Sequence, residues 1–353
     1  MLNHDQVSPT VLPMKKITAA TVEPYARRFA LGIGFFFLLL LPGILITATL
    51  VGGAASVFLY GALPVAAAFF GGARKLSLFV IAFMTIAGTL ARALDSAPLP
   101  SALLVGLVAL IIGLAARRGL SSPILTLGIV LGFLVMSPPE LTNKDSSIFS
   151  GIDPVLATAI LLAAGGFWAL LVGMVVRKKA PTVPENKVVD LSVVVPYALS
   201  LAISTGFVTF FLLYFSAGSL GAWMILTIFV IMKPDRDSTM LKTKDRILGT
   251  FAGTAIAIVA IEILHLINSQ QGFVQITFAL LFFGIAMSYF VPGPYWVYVT
   301  FLTPGVILLD SNSVSNQDEV ALSRIAFTLG GIAIALAIGY LVQHSSRFLA
   351  KRS

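Results

Sequence analysis

Residues 29–50 read FALGIGFFFLLLLPGILITATL, without a single charge. Runs of this kind recur along the whole chain, separated by short charged or proline-bearing segments. About 20 apolar residues cross the hydrocarbon core of a bilayer once. Lipid offers no hydrogen-bond partner, so such a run must satisfy its backbone internally, as a helix. The runs predict twelve transmembrane helices at 29–47, 50–70, 76–94, 100–116, 122–139, 155–176, 191–215, 219–232, 247–267, 272–290, 294–309 and 322–343. The first is long and begins after 28 residues, with no small-residue cleavage site before the next span, so it reads as a span and not a cleavable leader. The expected fold is an all-α polytopic membrane protein. Composition agrees: 58% of residues are hydrophobic and 11% charged, where a soluble domain carries about a quarter charged.

Charge gives the orientation. All the Lys and Arg residues except Arg92, Lys144 and Arg324 fall before span 1, after even-numbered spans or in the tail. Asp95, Glu140, Asp145, Asp153, Asp310, Asp318 and Glu319 fall in the alternate connections. Basic residues concentrate on the cytoplasmic side of membrane proteins, which places both termini in the cytoplasm. The net charge of +8 belongs to these loops and not to a nucleic-acid surface. Cysteine is absent, which removes disulfides, thiol catalysis and Cys-ligated metals and leaves the redox compartment open.

The two halves of the chain echo each other at an offset of 165 residues. TIAGT (Thr85–Thr89) matches TFAGT (Thr250–Thr254), Gly165–Gly166 matches Gly330–Gly331, Pro139 matches Pro304, and Asp153 matches Asp318. The reading is a duplicated six-span unit, 29–176 and 191–343. A cytoplasmic segment (1–28), a charged linker (177–190) and a basic cytoplasmic tail (344–353) complete the chain. An even number of spans inserts both units the same way up, related by an axis along the membrane normal, with substrate expected between them near the midplane.

One stretch breaks the apolar pattern. From Lys233 to Arg246, eight of fourteen residues are charged, and the run is followed by RILGTFAGT. GAWMILTIFVIMKPDRDSTMLKTKDRILGTFAGT, through Trp223, Thr227, Pro234, Thr239, Arg246, Gly249, Thr250 and Gly253, resembles the fusaric-acid-resistance (FUSC-like) family of membrane proteins. SRIAFTLGGIAIALAIGY, from Ser323, is similar to that family's closing span. The resemblance covers about a quarter of the chain, mostly in its second half. It implies export of aromatic and other organic acids across the inner membrane. Related plant proteins form anion channels, and relatives often work with a membrane-fusion adaptor. The chain departs from the family in lacking a large cytoplasmic domain, and Ile81 stands at the first-half position matching Arg246.

The candidate anion site comprises Arg246, Thr250, Thr303 and Arg324 with the aromatic residues Trp223, Tyr295 and Trp296. Guanidinium suits a carboxylate because it donates two parallel hydrogen bonds. For Arg246 one reading is a snorkelling anchor beside a helix seam; the other is an anion contact at a helix N-terminus facing a cytoplasmic vestibule. Arg324 is read as an ion pair with Asp310, Asp318 or Glu319, or as an exit-side anion contact. Arg92 is expected to pair with Asp95. Gly88, Gly249, Gly253, Gly330 and Gly331 are read as helix-packing positions, because small residues let helices approach closely in lipid. Pro139 and Pro304 read as matched helix interruptions or as kinks. Tyr295 and Trp296 belong to a cluster around the Pro-Gly-Pro turn, an interfacial belt or an aromatic-lined mouth.

Glu262 and His265 form a Glu-x-x-His pair, read as a proton-coupling element or an interfacial hydrogen-bonded pair. A di-iron bundle needs two such motifs and further carboxylates, so no metal is assigned. There is no Walker A sequence, H-E-x-x-H or G-x-S-x-G. No enzyme activity and no cofactor are expected. Three functional readings follow: an exporter of organic, chiefly aromatic, carboxylates; a passive anion channel; and a membrane scaffold without transport. The partners expected are the lipid bilayer and a small organic anion, together with a membrane-fusion adaptor or a homo-oligomer, and no nucleic acid.

Overall fold

A computed structural model describes residues 34, 37–43, 45, 52–141, 152–176, 188–266, 272–289, 294–311 and 317–350. Every extended element among them is a helix. The first, α1, is described within 34–45. It is followed by α2 (Gly52–Phe70), α3 (Ser77–Ala93), α4 (Pro98–Leu114), α5 (Ser121–Met136) and α6 (Pro154–Val176). The second half comprises α7 (Leu191–Tyr214), α8 (Gly218–Ile231), α9 (Arg236–Leu266), α10 (Gly272–Tyr289), α11 (Tyr295–Ser311) and α12 (Gln317–Ala350). Among the described residues, seven helices are long and apolar enough to cross a membrane; α5, α8, α10 and α11 are shorter apolar helices. The chain is an all-helical multi-pass membrane protein. Most of span 1, residues 177–187 of the linker, Lys144, Asp145 and the end of the tail lie outside the described residues.

Helix packing follows a recurring plan. In the first half α2 packs on α6 and α3, α3 packs on α5 and α6, and α4 packs on α5. In the second half α8 packs on α12 and α9, α9 packs on α11 and α12, and α10 packs on α11. α2 also packs on α5; α8 and α11 meet through side chains, where Trp223 and Leu226 share an apolar cluster with Val306. The halves meet where α7 lies along α4 and α8 lies against α5. The α4–α7 seam is close because Gly113 faces Ala198 and Gly106 faces Gly206, so no side chain holds the backbones apart.

Two sequence expectations need correction. The charged stretch is not a loop throughout: α9 begins at Arg236, so eleven of its residues are helical. Lys and Arg are good helix formers; hydropathy located the membrane-embedded part of α9 and missed its polar first turns. Pro234 and Asp235 set the start, with the Asp235 carboxylate accepting the Ser238 amide at 2.7 Å. The second correction concerns the prolines. Pro304 lies inside α11, whereas Pro139 lies in the turn after α5. A double proline explains it: Ser137 precedes Pro138, is driven out of the α region (φ −146°, ψ 77°), and ends the helix. Pro139 and Pro304 are therefore not equivalent.

Candidate functional site

The site is built on one turn of α8. Trp223 and Thr227 are four residues apart, so both face the same way and lie about 6 Å apart along the axis. The Thr227 hydroxyl donates to the Trp223 carbonyl at 2.8 Å. Two arginines from other helices converge on this turn. Arg324, on α12, places its guanidinium carbon 3.3 Å from the centroid of the Trp223 ring, a close cation–π contact. Phe133 of α5 holds that ring edge-on at 4.7 Å. Arg246, on α9, donates from Nη2 to Thr227 Oγ1 at 3.4 Å and from Nη1 to the Tyr295 hydroxyl at 3.3 Å.

Both arginines are 1% exposed. Two like charges that converge on one helix turn repel, the more so away from water. Among the described residues the partners of Arg246 are two neutral hydroxyls at long distance, and its Nε has none. Burial of a charge on such terms is costly unless a counter-charge arrives. Arg246 and Arg324 both act electrostatically on Tyr295 and Tyr298, which puts all four groups in one neighbourhood.

Buried threonines lie on α9, α11 and α12. The hydroxyls of Thr250 and Thr254 on α9, Thr303 on α11 and Thr328 on α12 are buried without a hydrogen-bond partner among the described residues. Each such orphan costs about 1–3 kcal/mol. A row of them is what a polar solute or a file of water would satisfy. Thr303 sits opposite Gly253, where α9 and α11 nearly touch: a methyl at Gly253 would fall 2.6 Å from the Thr300 carbonyl oxygen. That carbonyl is the one Pro304 cannot bond, since proline lacks the amide that would reach four residues back. Gly249 meets the Trp296 carbonyl in the same seam. Gly330 and Gly331 meet Met224 on α8, and Gly88 meets Leu162 on α6.

The charged stretch begins where α8 ends. α8 has 14 residues, about 21 Å of helix against a hydrocarbon core of about 30 Å. Met232 and Lys233 follow directly after its last residue, Ile231. Lys233 sits there half-buried, and desolvation, with the nearby Lys242 charge adding to it, lowers its pKa to about 8. The Lys242 ammonium lies over the Tyr295 ring, 4.2 Å from its centroid.

Several anticipated residues fall elsewhere. Arg246 lies within the third turn of α9 and not at a helix N-terminus, so the helix-end potential invoked for it does not apply. Trp296 is half-exposed and contributes its backbone to the Gly249 contact. Glu262 and His265 are exposed on α9 and do not join the arginines. Arg324 is buried on Trp223 while Glu319 is exposed; the side chains of Asp310 and Asp318 lie outside the described residues. Asp95 lies beyond the end of α3 with φ 46°, so it is not on the helix with Arg92. Among the described residues no group of three or more His, Asp and Glu could hold a metal. Sequence reading missed Thr328 and the ring contact of Lys242; the one available signal for Thr328 was a threonine one turn after Arg324 in an apolar span.

Residues 201–338 match the fusaric acid resistance protein-like family. This segment is similar to that family. It contains every residue of the arginine cluster, from Trp223 to Thr328. Two curated relatives of the chain are similar over about the same fraction of it. The uncharacterized protein slr1298 of Synechocystis sp. is 32% identical over 121 residues, 34% of this chain and 15% of that protein. The inner membrane protein YccS of Escherichia coli is 31% identical over 122 residues, 34% of this chain and 16% of that protein. The matches thus cover about a sixth of each curated relative. No solved structure matches the chain.

Proposed function

We propose that the chain is a non-enzymatic inner-membrane transporter that exports organic, chiefly aromatic, carboxylates. In this reading twelve spans form two parallel six-helix repeats with both termini in the cytoplasm. The observation that carries the anion reading is the convergence of two fully buried guanidinium groups, Arg246 and Arg324, on one turn of α8. A carboxylate between them relieves their repulsion and gives Arg246 a charged acceptor. The ring of an aromatic acid finds Trp223, and its polar rim finds the orphan threonine hydroxyls. The recurring packing plan of the two halves supports the repeat. The name of the Escherichia coli relative supports the inner membrane.

The test is transport of radiolabelled benzoate by the full chain in inside-out vesicles, at matched protein abundance. Uptake that needs protein and is lost in both Arg246→Gln and Arg324→Gln supports the reading; uptake indifferent to both removes it. A passive anion channel is the second reading. It is favoured by the placement of Glu262 and His265, which are exposed and away from the arginines, so the candidate proton pair does not touch the anion site. Benzoate flux that follows membrane potential alone and ignores a proton gradient selects the channel.

A further inference from the structure

Lys242 and Arg246 are four residues apart on α9 and so share a face of the helix. Both reach the same side chain. The Lys242 ammonium covers the Tyr295 ring at 4.2 Å, and Arg246 Nη1 donates to the Tyr295 hydroxyl at 3.3 Å. One half-buried phenol is therefore held at its face by a cation near the charged stretch and at its tip by a buried cation. Lys233, just beyond the end of α8, is close enough to Lys242 for the two charges to interact. Tyr295 thus bridges the half-buried Lys242 and the buried Arg246.

We propose that Tyr295 is the inner gate of the anion site, a plug that an arriving carboxylate displaces by taking its place on Lys242 and then on Arg246. The inference rests on the anion reading above and adds how the site is closed. The phenol is a weak occupant: a ring face for the ammonium and one neutral oxygen at long range for the guanidinium. A carboxylate offers each cation a charged acceptor, bidentate in the case of arginine. A neutral or cationic solute offers neither, so the same arrangement rejects it. Opening costs the two weak cation contacts, which the anion replaces with stronger ones, and the Tyr295–Tyr298 ring contact at 6.0 Å; the plug re-forms on the two cations once the anion has moved on.

The experiment measures benzoate binding to the purified full chain in nanodiscs, and benzoate exchange in inside-out vesicles. Tyr295→Phe keeps the ring beneath Lys242 and removes the oxygen from Arg246. It is expected to bind benzoate about fivefold tighter, the equivalent of one modest hydrogen bond no longer to be displaced. Binding equal to or weaker than wild type overturns the gate. If Tyr295→Phe is not recovered folded, Lys242→Gln carries the test. Loss of the ring's cation raises the exchange rate at saturating benzoate severalfold, and an equal or lower rate overturns the proposal. Arg246→Gln separates the two ideas. If it binds benzoate as wild type does, the anion site itself is wrong. If it loses binding while Tyr295→Phe gains nothing, the site stands and only the gate falls.

Discussion

Arg246 combines three properties that rarely occur together: full charge, 1% exposure and hydroxyl-only hydrogen bonding. Arg246→Gln removes charge and fork together and is expected to raise the KM for benzoate roughly tenfold or more, since hydrogen bonds to a charged group contribute about 1.5–3 kcal/mol. Arg246→Lys keeps the charge, loses the fork, and is expected to fall between the two. Initial rates in inside-out vesicles check both; a lysine variant equal to wild type denies the fork any part. Lys233 provides a pH signature. Its folded pKa, about 8, lies below its ordinary value of 10.5. Between those values the unfolded chain binds more protons than the folded one, so stability rises with pH through that window. Thermal melts from pH 7.5 to 10 are expected to show wild type gaining on Lys233→Met, and parallel curves would refute the assignment. The sequence announced Arg246 and Arg324 because charges stand out in apolar spans. It did not announce that they meet on Trp223–Thr227, because that depends on how α9 and α12 both cross α8.

At the scale of elements, apolar length alone located the helices well: the run predicted at 191–215 is α7, Leu191–Tyr214, and that at 155–176 is α6, Pro154–Val176. It failed where helix and membrane part company. α9 starts eleven residues before its apolar run because a helix needs propensity and a cap, whereas a span needs grease. The α9–α11 seam shows what the glycine pattern specifies. A methyl at Gly253 meets the Thr300 carbonyl at 2.6 Å, and the backbone cannot yield as a side-chain tip can. Gly253→Ala is expected to destabilise by about 1–3 kcal/mol through overpacking, and Gly253→Leu to abolish recovery of folded protein. Gly339 on α12 is the control, since a methyl there meets nothing within 4 Å. Gly339→Ala is expected to be neutral or mildly stabilising, by up to about 1 kcal/mol from helix propensity. Thermostability in detergent ranks the three; equal losses at Gly253 and Gly339 would show that the seam is not tight.

For the whole molecule, the halves share a packing plan but not a shape of core. α5 touches α2 in its own half and α8 in the other, while α11 reaches α8 through side chains, with Val306 in one apolar cluster with Trp223 and Leu226. The arginines lie in the second half, and Ile81 stands where a repeat of Arg246 would be. One half thus carries the site and the other braces α8 through α5. The charges bear on the vertical arrangement of the helices. Arg74 and Lys75 between α2 and α3, Arg117 and Arg118 between α4 and α5, and Arg236 at the start of α9 are exposed. They lie at alternate connections and so share one face of an up-and-down array, whereas Asp95, Asp153 and Glu319 lie at the others. In the proposed orientation the basic face is cytoplasmic, in keeping with the positive-inside rule, and the proposed gate at Tyr295 then faces the cytoplasm. Cysteine-free wild type makes the test direct. In intact cells an impermeant maleimide is expected to label Ser146→Cys and Ser313→Cys, positions outside the described residues, and to spare Ser238→Cys in the first turn of α9. After permeabilisation Ser238→Cys, half-exposed in the folded chain, is expected to react as well. Labelling of Ser238→Cys in intact cells would invert every helix, turn the charged stretch to the outside, and make the same site one for uptake.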